Sequence, residues 1–231
     1  MQRQCEPPAG VLFDLDGTLI DSRADLAAAA NAVRAERGRP ALPDDVVIGY
    51  VGDGARALLR RVLGHADGTG DASAPVSEEA LARAYDDFVR FYGSRLLERT
   101  RPYPGIVELL DDLADRQLFV ATNKPRVFTE AILEGLDLAG RFVRVVAGDD
   151  PPRRKPHPDH LRACLAGTGL EPAGCAMVGD SVNDIAPARA LGMRAIAVAW
   201  GLVPEDTLRE AAPHALVHDA PGLLAVLGGA R

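Results

Sequence analysis

Asp14-Leu15-Asp16-Gly17-Thr18 places two carboxylates two residues apart at the end of a short apolar run. On an extended strand, side chains at that spacing project to the same side. Two carboxylates held close repel each other unless a cation or a shared proton relieves them. Gly17 lets the backbone turn sharply after them and approach a ligand. The pentapeptide alone would also suit a structural turn or a surface metal loop. An EF-hand fails on spacing, because the sixth position from Asp14 is Leu19 where glycine is required. A second acidic pair, Asp180 and Asp184, follows Gly179 where a helix is about to begin, and four-residue spacing lets both face one side. Taken singly, such acids are also ordinary helix caps. The 26 basic residues comprise 24 arginines and only two lysines, Lys124 and Lys155. Lysine is a compact ammonium that acts as a point charge beside an anion. Both precede proline, in Asn123-Lys124-Pro125 and Lys155-Pro156-His157-Pro158.

These groups need elements to position them. Short apolar runs bounded by turn residues predict strands at Val11–Leu15, Leu118–Thr122, Val143–Ala147, Cys175–Gly179, Ala195–Ala199 and, more weakly, Ala215–Val217. Amphipathic helices separate most of them, as Val127, Ile132, Leu133 and Leu136 illustrate. Continuous apolar strands alternating with helices predict an α/β fold, a doubly wound and mostly parallel sheet covered on both faces. The alternation breaks from Asp21 to Arg99, where only helices are expected. One carries Ala55, Leu58, Leu59, Val62 and Leu63 on one face; another follows an N-cap at Ser77 with Leu81, Tyr85, Phe88 and Tyr92. A polar, Gly-rich loop at residues 65–75 joins them. The expected division is a core of residues 1–20 and 100–231 and a helical cap domain of residues 21–99. Ligands in open α/β sheets bind at the carboxyl ends of strands, so the cap would overlie that crevice. Four strand ends then bring it Asp14 and Asp16, Thr122 and Asn123, Lys155, and Asp180 with Asp184. Acids for a hard cation, a hydroxyl and amide for an anion, and a lone lysine form one chemical set.

This set resembles the four motifs of the haloacid dehalogenase superfamily of phosphohydrolases, over essentially the whole chain. Residues 50–56 (Tyr-Val-Gly-Asp-Gly-Ala-Arg), 122–125, 155–158 and 179–184 are further similar to those of bacterial phosphoglycolate phosphatases. The resemblance implies catalysis by Asp14, Asp16, Thr122 and Lys155, with Asp14 as nucleophile and Asp16 as general acid and base. It implies Mg²⁺ held by the Asp14 carboxylate, the Asp16 backbone carbonyl and Asp180. Thr122, Asn123 and Lys155 would hold phosphoryl oxygens, and Asp184 would orient Lys155. Arg56 would read a substrate carboxylate, although Arg56 and Arg60 equally fit a solvated helix face. The expected substrate is a small-molecule phosphate ester, foremost 2-phosphoglycolate; sugar phosphates, pyrophosphate or phosphomutase chemistry are alternatives, and a non-catalytic regulatory module is a different class. By the same resemblance, the Schiff-base chemistry of related phosphonoacetaldehyde hydrolases would need a lysine in the cap, and residues 21–99 contain none, while the related dehalogenases lack the second aspartate that Asp16 supplies.

The remaining residues carry blander expectations. His157, His160, Arg153 and Arg154 read as solvated loop residues, and Trp200 as a packing residue. Cys5, Cys164 and Cys175 form no CxxC pair and read as idle thiols in a reducing compartment. A net charge of −7 gives no reason to expect a nucleic acid or anionic membrane. No run approaches the roughly 20 apolar residues of a membrane span, and residues 1–10 lack a signal-peptide pattern. A soluble cytoplasmic protein is expected, as a monomer or small homo-oligomer.

Overall fold

The computed structural model describes residues 6–65 and 76–228. The chain begins with β1 (Gly10–Phe13) and a two-residue strand β2 (Ile20–Asp21), then enters helices α1 (Arg23–Ala35), α2 (Asp44–Ile48), α3 (Ala55–Gly64) and α4 (Glu78–Gly93). It returns through β3 (Arg101–Pro102), followed by α5 (Ile106–Asp112), β4 (Gln117–Ala121), α6 (Arg126–Gly135), β5 (Arg144–Val146) and α7 (Asp159–Leu165). The last part is β6 (Cys175–Gly179), α8 (Val182–Ala190), β7 (Arg194–Val198), α9 (Glu205–Glu210), β8 (Ala215–Val217) and α10 (Ala220–Leu227). The main sheet has the order β5-β4-β1-β6-β7-β8, with every pairing parallel. The expected α/β class and doubly wound sheet are therefore what the chain forms.

Alternation within the strands divides the core into two layers. Val11, Phe13, Val120 and Val178 face one side, where they meet Ile106, Leu110, Ile132 and Leu223 of the covering helices. Leu12, Phe119, Ala121 and Met177 face the other, against Leu161, Cys164, Ile185 and Leu208. Trp200 packs against the first layer as expected and donates from Nε1 to the Thr18 carbonyl at 3.1 Å.

The segment between β2 and β3 has an apolar cluster of its own. Leu26, Val33, Val47, Leu59, Val62, Leu81, Phe88 and Tyr92 form it, and Phe128 of α6 enters it from the main body. Ser77 caps α4 as expected, accepting from the Ala80 amide at 3.2 Å. One correction concerns residues 21–99, which are not wholly helical. Asp21 pairs antiparallel with Arg101 in the β2–β3 ribbon. Two-residue strands are too short to show a period, so the sequence pattern is silent there. The ribbon stands where the chain leaves and re-enters the main body. Asp25 secures that crossing from beneath, its Oδ2 accepting from the Arg99 amide (3.0 Å), the Thr100 amide (2.8 Å) and the Thr100 hydroxyl (2.8 Å). The loop expected at residues 65–75 lies, beyond His65, outside the described residues.

Phe128 is the joint between the two apolar bodies, its ring edge-on to Tyr92 at 5.0 Å and to Phe88 at 6.0 Å. Phe128→Ala is expected to lower unfolding stability by about 3–5 kcal/mol, the usual cost of emptying a buried aromatic site. Urea denaturation followed by circular dichroism measures this; a loss under about 1 kcal/mol would mean that the joint is loosely packed.

Candidate active site

β1 lies between β4 and β6 in the sheet, and the chain order reverses there, which opens a crevice at the strands' carboxyl ends. Asp14 follows β1, its amide donating to the Val178 carbonyl at 2.9 Å. Asp180 follows β6, and Asp184 stands in the first turn of α8. Lys155 arrives from the connection between β5 and α7. Its ammonium donates to Asp14 Oδ1 at 2.9 Å and to Asp184 Oδ1 at 2.6 Å, and the residue is only 3% exposed. The other Asp184 oxygen accepts from the Ser181 amide at 3.1 Å and hydroxyl at 2.7 Å, so helix capping and lysine orientation use one side chain. Asp180 Oδ2 accepts from the Leu202 amide at 2.6 Å.

Asp14, Asp180 and Asp184 each bring a carboxylate oxygen within 4.8 Å of the others, all buried. Burial pushes the Asp14 carboxyl up to about 6, with Lys155 opposing and Asp184 adding to the rise. Asp180 is raised well above the carboxylate range by burial, then by Asp14 and Asp184. Burial would depress the Lys155 ammonium, but Asp14 and Asp184 outweigh it and hold the pKa above its ordinary value. Lys155 thus bridges Asp14 and Asp184 but not Asp180, and the three carboxylates together outnumber the one ammonium. An all-oxygen cluster short of positive charge fits a hard divalent cation. Gly17 is required here for two reasons: its φ is +85°, and a Cβ would lie 2.1 Å from Asp180 Oδ2.

The Asp16 carboxylate is set apart from this cluster. It accepts from the Ser22 hydroxyl at 2.5 Å and from Lys124 Nζ at 2.9 and 3.0 Å. Lys124 in turn donates to the Tyr92 hydroxyl of α4 at 2.8 Å. Sequence reasoning assigned no role to Ser22, Lys124 or Tyr92. The scarcity of lysine was the available signal for Lys124; Tyr92 was hidden in an apolar helix face.

Asp14, Asp16, Thr122, Asn123, Lys124 and Asp180 line the polar part of the crevice. Leu26, Val51, Leu58, Phe88, Phe128 and Leu202 give it apolar walls. Thr122 Oγ1 accepts from the Lys124 amide at 3.2 Å, leaving its own proton to donate. The Asn123 side chain, expected at a phosphoryl oxygen, makes bonds within the protein. Both its amide bonds go to backbone carbonyls, of Gly52 and Lys155, each at 2.9 Å, so it ties the helical insert to the lysine loop. Asn183 adds a bond to Asp53 Oδ1 at 2.8 Å, and Arg154 one to the Asp53 carbonyl at 3.1 Å. Arg56 is not brought to the crevice: it is exposed, with its guanidinium over the Tyr85 ring at 5.3 Å. Arg60 is also exposed and pairs with Glu78 at 2.8 Å, as a solvated face would. Arg153 is exposed and His157 partly so, but His160 is fully buried and its expectation is corrected. Its Nε2 meets the Val146 carbonyl at 3.2 Å, and burial, then Lys155, push its pKa down to about 4. A helical face, unseen from sequence, turns it inward from α7.

A family model described as haloacid dehalogenase-like hydrolase matches residues 11–198, which include Asp14, Asp16, Thr122, Asn123, Lys124, Lys155, Asp180 and Asp184. The chain belongs to that family. Among its relatives, a phosphoglycolate phosphatase of Chromobacterium violaceum is 40% identical over 200 residues, 86% of this chain and 88% of the relative. One from Caulobacter vibrioides is 38% identical over 199 residues, 85% and 81% of the two chains. A solved structure described as a predicted phosphoglycolate phosphatase from Haemophilus somnus superposes with a TM-score of 0.88 at 29% identity, covering 94% of this chain and 97% of the other. The family and enzyme class expected from the motifs, a phosphoric monoester hydrolase, are borne out.

Replacing Lys155 by arginine tests whether its point charge matters. The planar guanidinium does not fit between Asp14 and Asp184, so Lys155→Arg is expected to lower kcat/KM on the order of 10²-fold, the scale of one lost transition-state donor. Steady-state release of p-nitrophenol from p-nitrophenyl phosphate measures it. Normal kinetics would remove Lys155 from the site.

Proposed function

We propose that this phosphatase is Mg²⁺-dependent and hydrolyses 2-phosphoglycolate to glycolate and phosphate through an aspartyl-phosphate on Asp14. The observation that carries the mechanism is the contrast between the two β1 carboxylates. Asp14 stands in the acidic cluster against Lys155, while Asp16 is drawn aside by Ser22 and Lys124. Two carboxylates in different environments can take different roles. The substrate is supported by the name that the relatives share.

In the first step an Asp14 oxygen attacks phosphorus and the ester bond breaks, the leaving oxygen taking a proton from Asp16. In the second, water attacks the phosphorus of the aspartyl-phosphate, gives its proton to Asp16 and frees phosphate and the Asp14 carboxylate. Lys155 and the Thr122 hydroxyl offset charge on the phosphoryl oxygens, Asp184 holds Lys155 in line, and Asn123 fixes the surrounding loop. Mg²⁺ held by the Asp14 carboxylate, the Asp16 carbonyl and Asp180 would neutralise the charge that otherwise keeps an anionic nucleophile from an anionic ester. In the same proposal, residues 21–99 form a cap domain, supported by their separate apolar cluster, on a core of residues 1–20 and 100–231. A small-molecule substrate and a cytoplasmic place accord with the net charge of −7 and with the buried free thiols Cys164 and Cys175. Among the described residues no helix is long and apolar enough to cross a membrane.

Metal removal is the first test. EDTA is expected to abolish turnover and excess Mg²⁺ to restore it, with full activity in metal-stripped protein overturning the assignment. Ranking a panel of phosphate esters by kcat/KM from released phosphate tests the substrate; a sugar phosphate or pyrophosphate preferred over 2-phosphoglycolate would replace it. The two aspartates separate by substitution. Asp14→Asn is expected to abolish turnover of every ester. Asp16→Asn is expected to lose about 10²–10⁴-fold with an alkyl ester, which needs its leaving group protonated. With p-nitrophenyl phosphate the same variant should give a burst of p-nitrophenol, a slow steady state and a phosphate adduct on the Asp14 peptide by mass spectrometry. An adduct on another residue would displace Asp14 as nucleophile.

A further inference from the structure

The Asp16 carboxylate is oriented largely by groups outside β1. Lys124 donates to both its oxygens and to the Tyr92 hydroxyl, which engages all three protons of the ammonium. Lys124 is 6% exposed and Tyr92 fully buried. A lysine stem has four rotatable bonds and does not by itself hold a carboxylate in one rotamer. The Tyr92 hydroxyl supplies the missing anchor, and its own place is set by packing. The ring stacks on Phe88 at 5.2 Å and meets Phe128 edge-on at 5.0 Å. Burial pushes the Tyr92 phenol up to about 12, so its oxygen accepts from the ammonium without competing for its proton.

We infer that Tyr92 and Lys124 are positioning residues for Asp16: the hydroxyl delivered by α4 fixes the ammonium, and the ammonium fixes the carboxylate that gives and takes the proton. This rests on the acid–base role of Asp16 proposed above. Proton transfer needs a donor within hydrogen-bond reach in the correct orientation, and a small misplacement lowers the rate steeply. The contact also joins the insert to the chemistry. Ser22, at the start of α1, and Tyr92, on the last turn of α4, reach Asp16 directly and through Lys124 respectively. The acid is therefore fully oriented only when both helices are in place.

Tyr92→Phe tests this mildly, because it keeps the ring and removes only the hydroxyl. Lys124→Met removes the charge and leaves the partly buried Asp16 without its cation, so it is expected to slow the alkyl ester more than Tyr92→Phe does. First-turnover rates would be measured by rapid mixing of the Mg²⁺-loaded full chain with the best alkyl phosphate of the panel and with p-nitrophenyl phosphate. Tyr92→Phe is expected to slow the alkyl ester on the order of tenfold, a fraction of the loss on removing the acid. It should leave KM and the first release of p-nitrophenol within about twofold, because that leaving group needs no proton. Added to Asp16→Asn, it should cost nothing further, since a positioning residue has no effect once its target is gone. Equal slowing of both esters, or an undiminished effect in the double variant, would reduce Tyr92 to packing and overturn the inference while leaving the proposed mechanism standing. Equal slowing of both esters by Asp16→Asn itself would overturn the acid–base role and the positioning role together.

Discussion

Mutual repulsion among Asp14, Asp180 and Asp184 is the constraint around which the main body is arranged. Three carboxylates with oxygens within 4.8 Å of each other would separate in a compliant structure; held together, they favour a proton or a cation. The parallel sheet is not compliant. β1 and β6 are hydrogen-bonded along their length and buried on both faces, so the residues that follow them have little freedom to move apart. Local donors supply part of the compensation. The Leu202 amide serves Asp180, the Ser181 amide and hydroxyl serve Asp184, and Lys155 bridges Asp14 to Asp184. The residual imbalance makes the cluster receptive to a cation and poised against an anion that arrives without one.

The insert adds a second constraint at the rim. Its apolar cluster is separate, yet Phe128 and Tyr92 interlock it with α6. Polar ties complete the attachment: Asn123 and Asn183 hold the Gly52–Asp53 turn, and Asp25 closes the crossing at Thr100. The Asn123 side-chain amide thereby holds both the turn and the Lys155 loop. Apolar walls from Leu58, Phe88 and Phe128 then shape the crevice and limit the water that reaches it.

The sheet and the acidic residues were legible because their signals are local and redundant. Apolar runs bounded by turn residues mark the buried parallel strands, and four of the six lead to polar cargo. Lys155 was legible because lysine is almost absent from the chain. The burial of His160, the seat of Arg56 and the partners of the Asn123 side chain were not settled by sequence, for a common reason: spacing says which residues share a face but not what that face meets. His160 turned inward and Arg56 outward, and Asn123 found backbone carbonyls before any anion could claim it. Lys124 was visible as an oddity but without a partner, because Tyr92 and Asp16 lie far from it in sequence and only the fold brings them together.

In the proposed mechanism, the spacing of Asp14 and Asp16 lets one motif supply two different functions. Two residues apart, they line one crevice just beyond β1, yet the residues that receive them belong to different parts of the chain. Asp14 meets Lys155 from beyond β5, within the rigid main body. Asp16 meets Ser22 from α1 and Lys124, itself held by Tyr92 from α4, at the junction with the insert. A nucleophile must stay fixed relative to the cation and phosphoryl site, which the sheet provides. In the same proposal, an acid must be oriented toward a leaving group whose position depends on how the substrate sits in the crevice. Anchoring the first carboxylate to the sheet and the second to the insert meets both requirements with a single strand end.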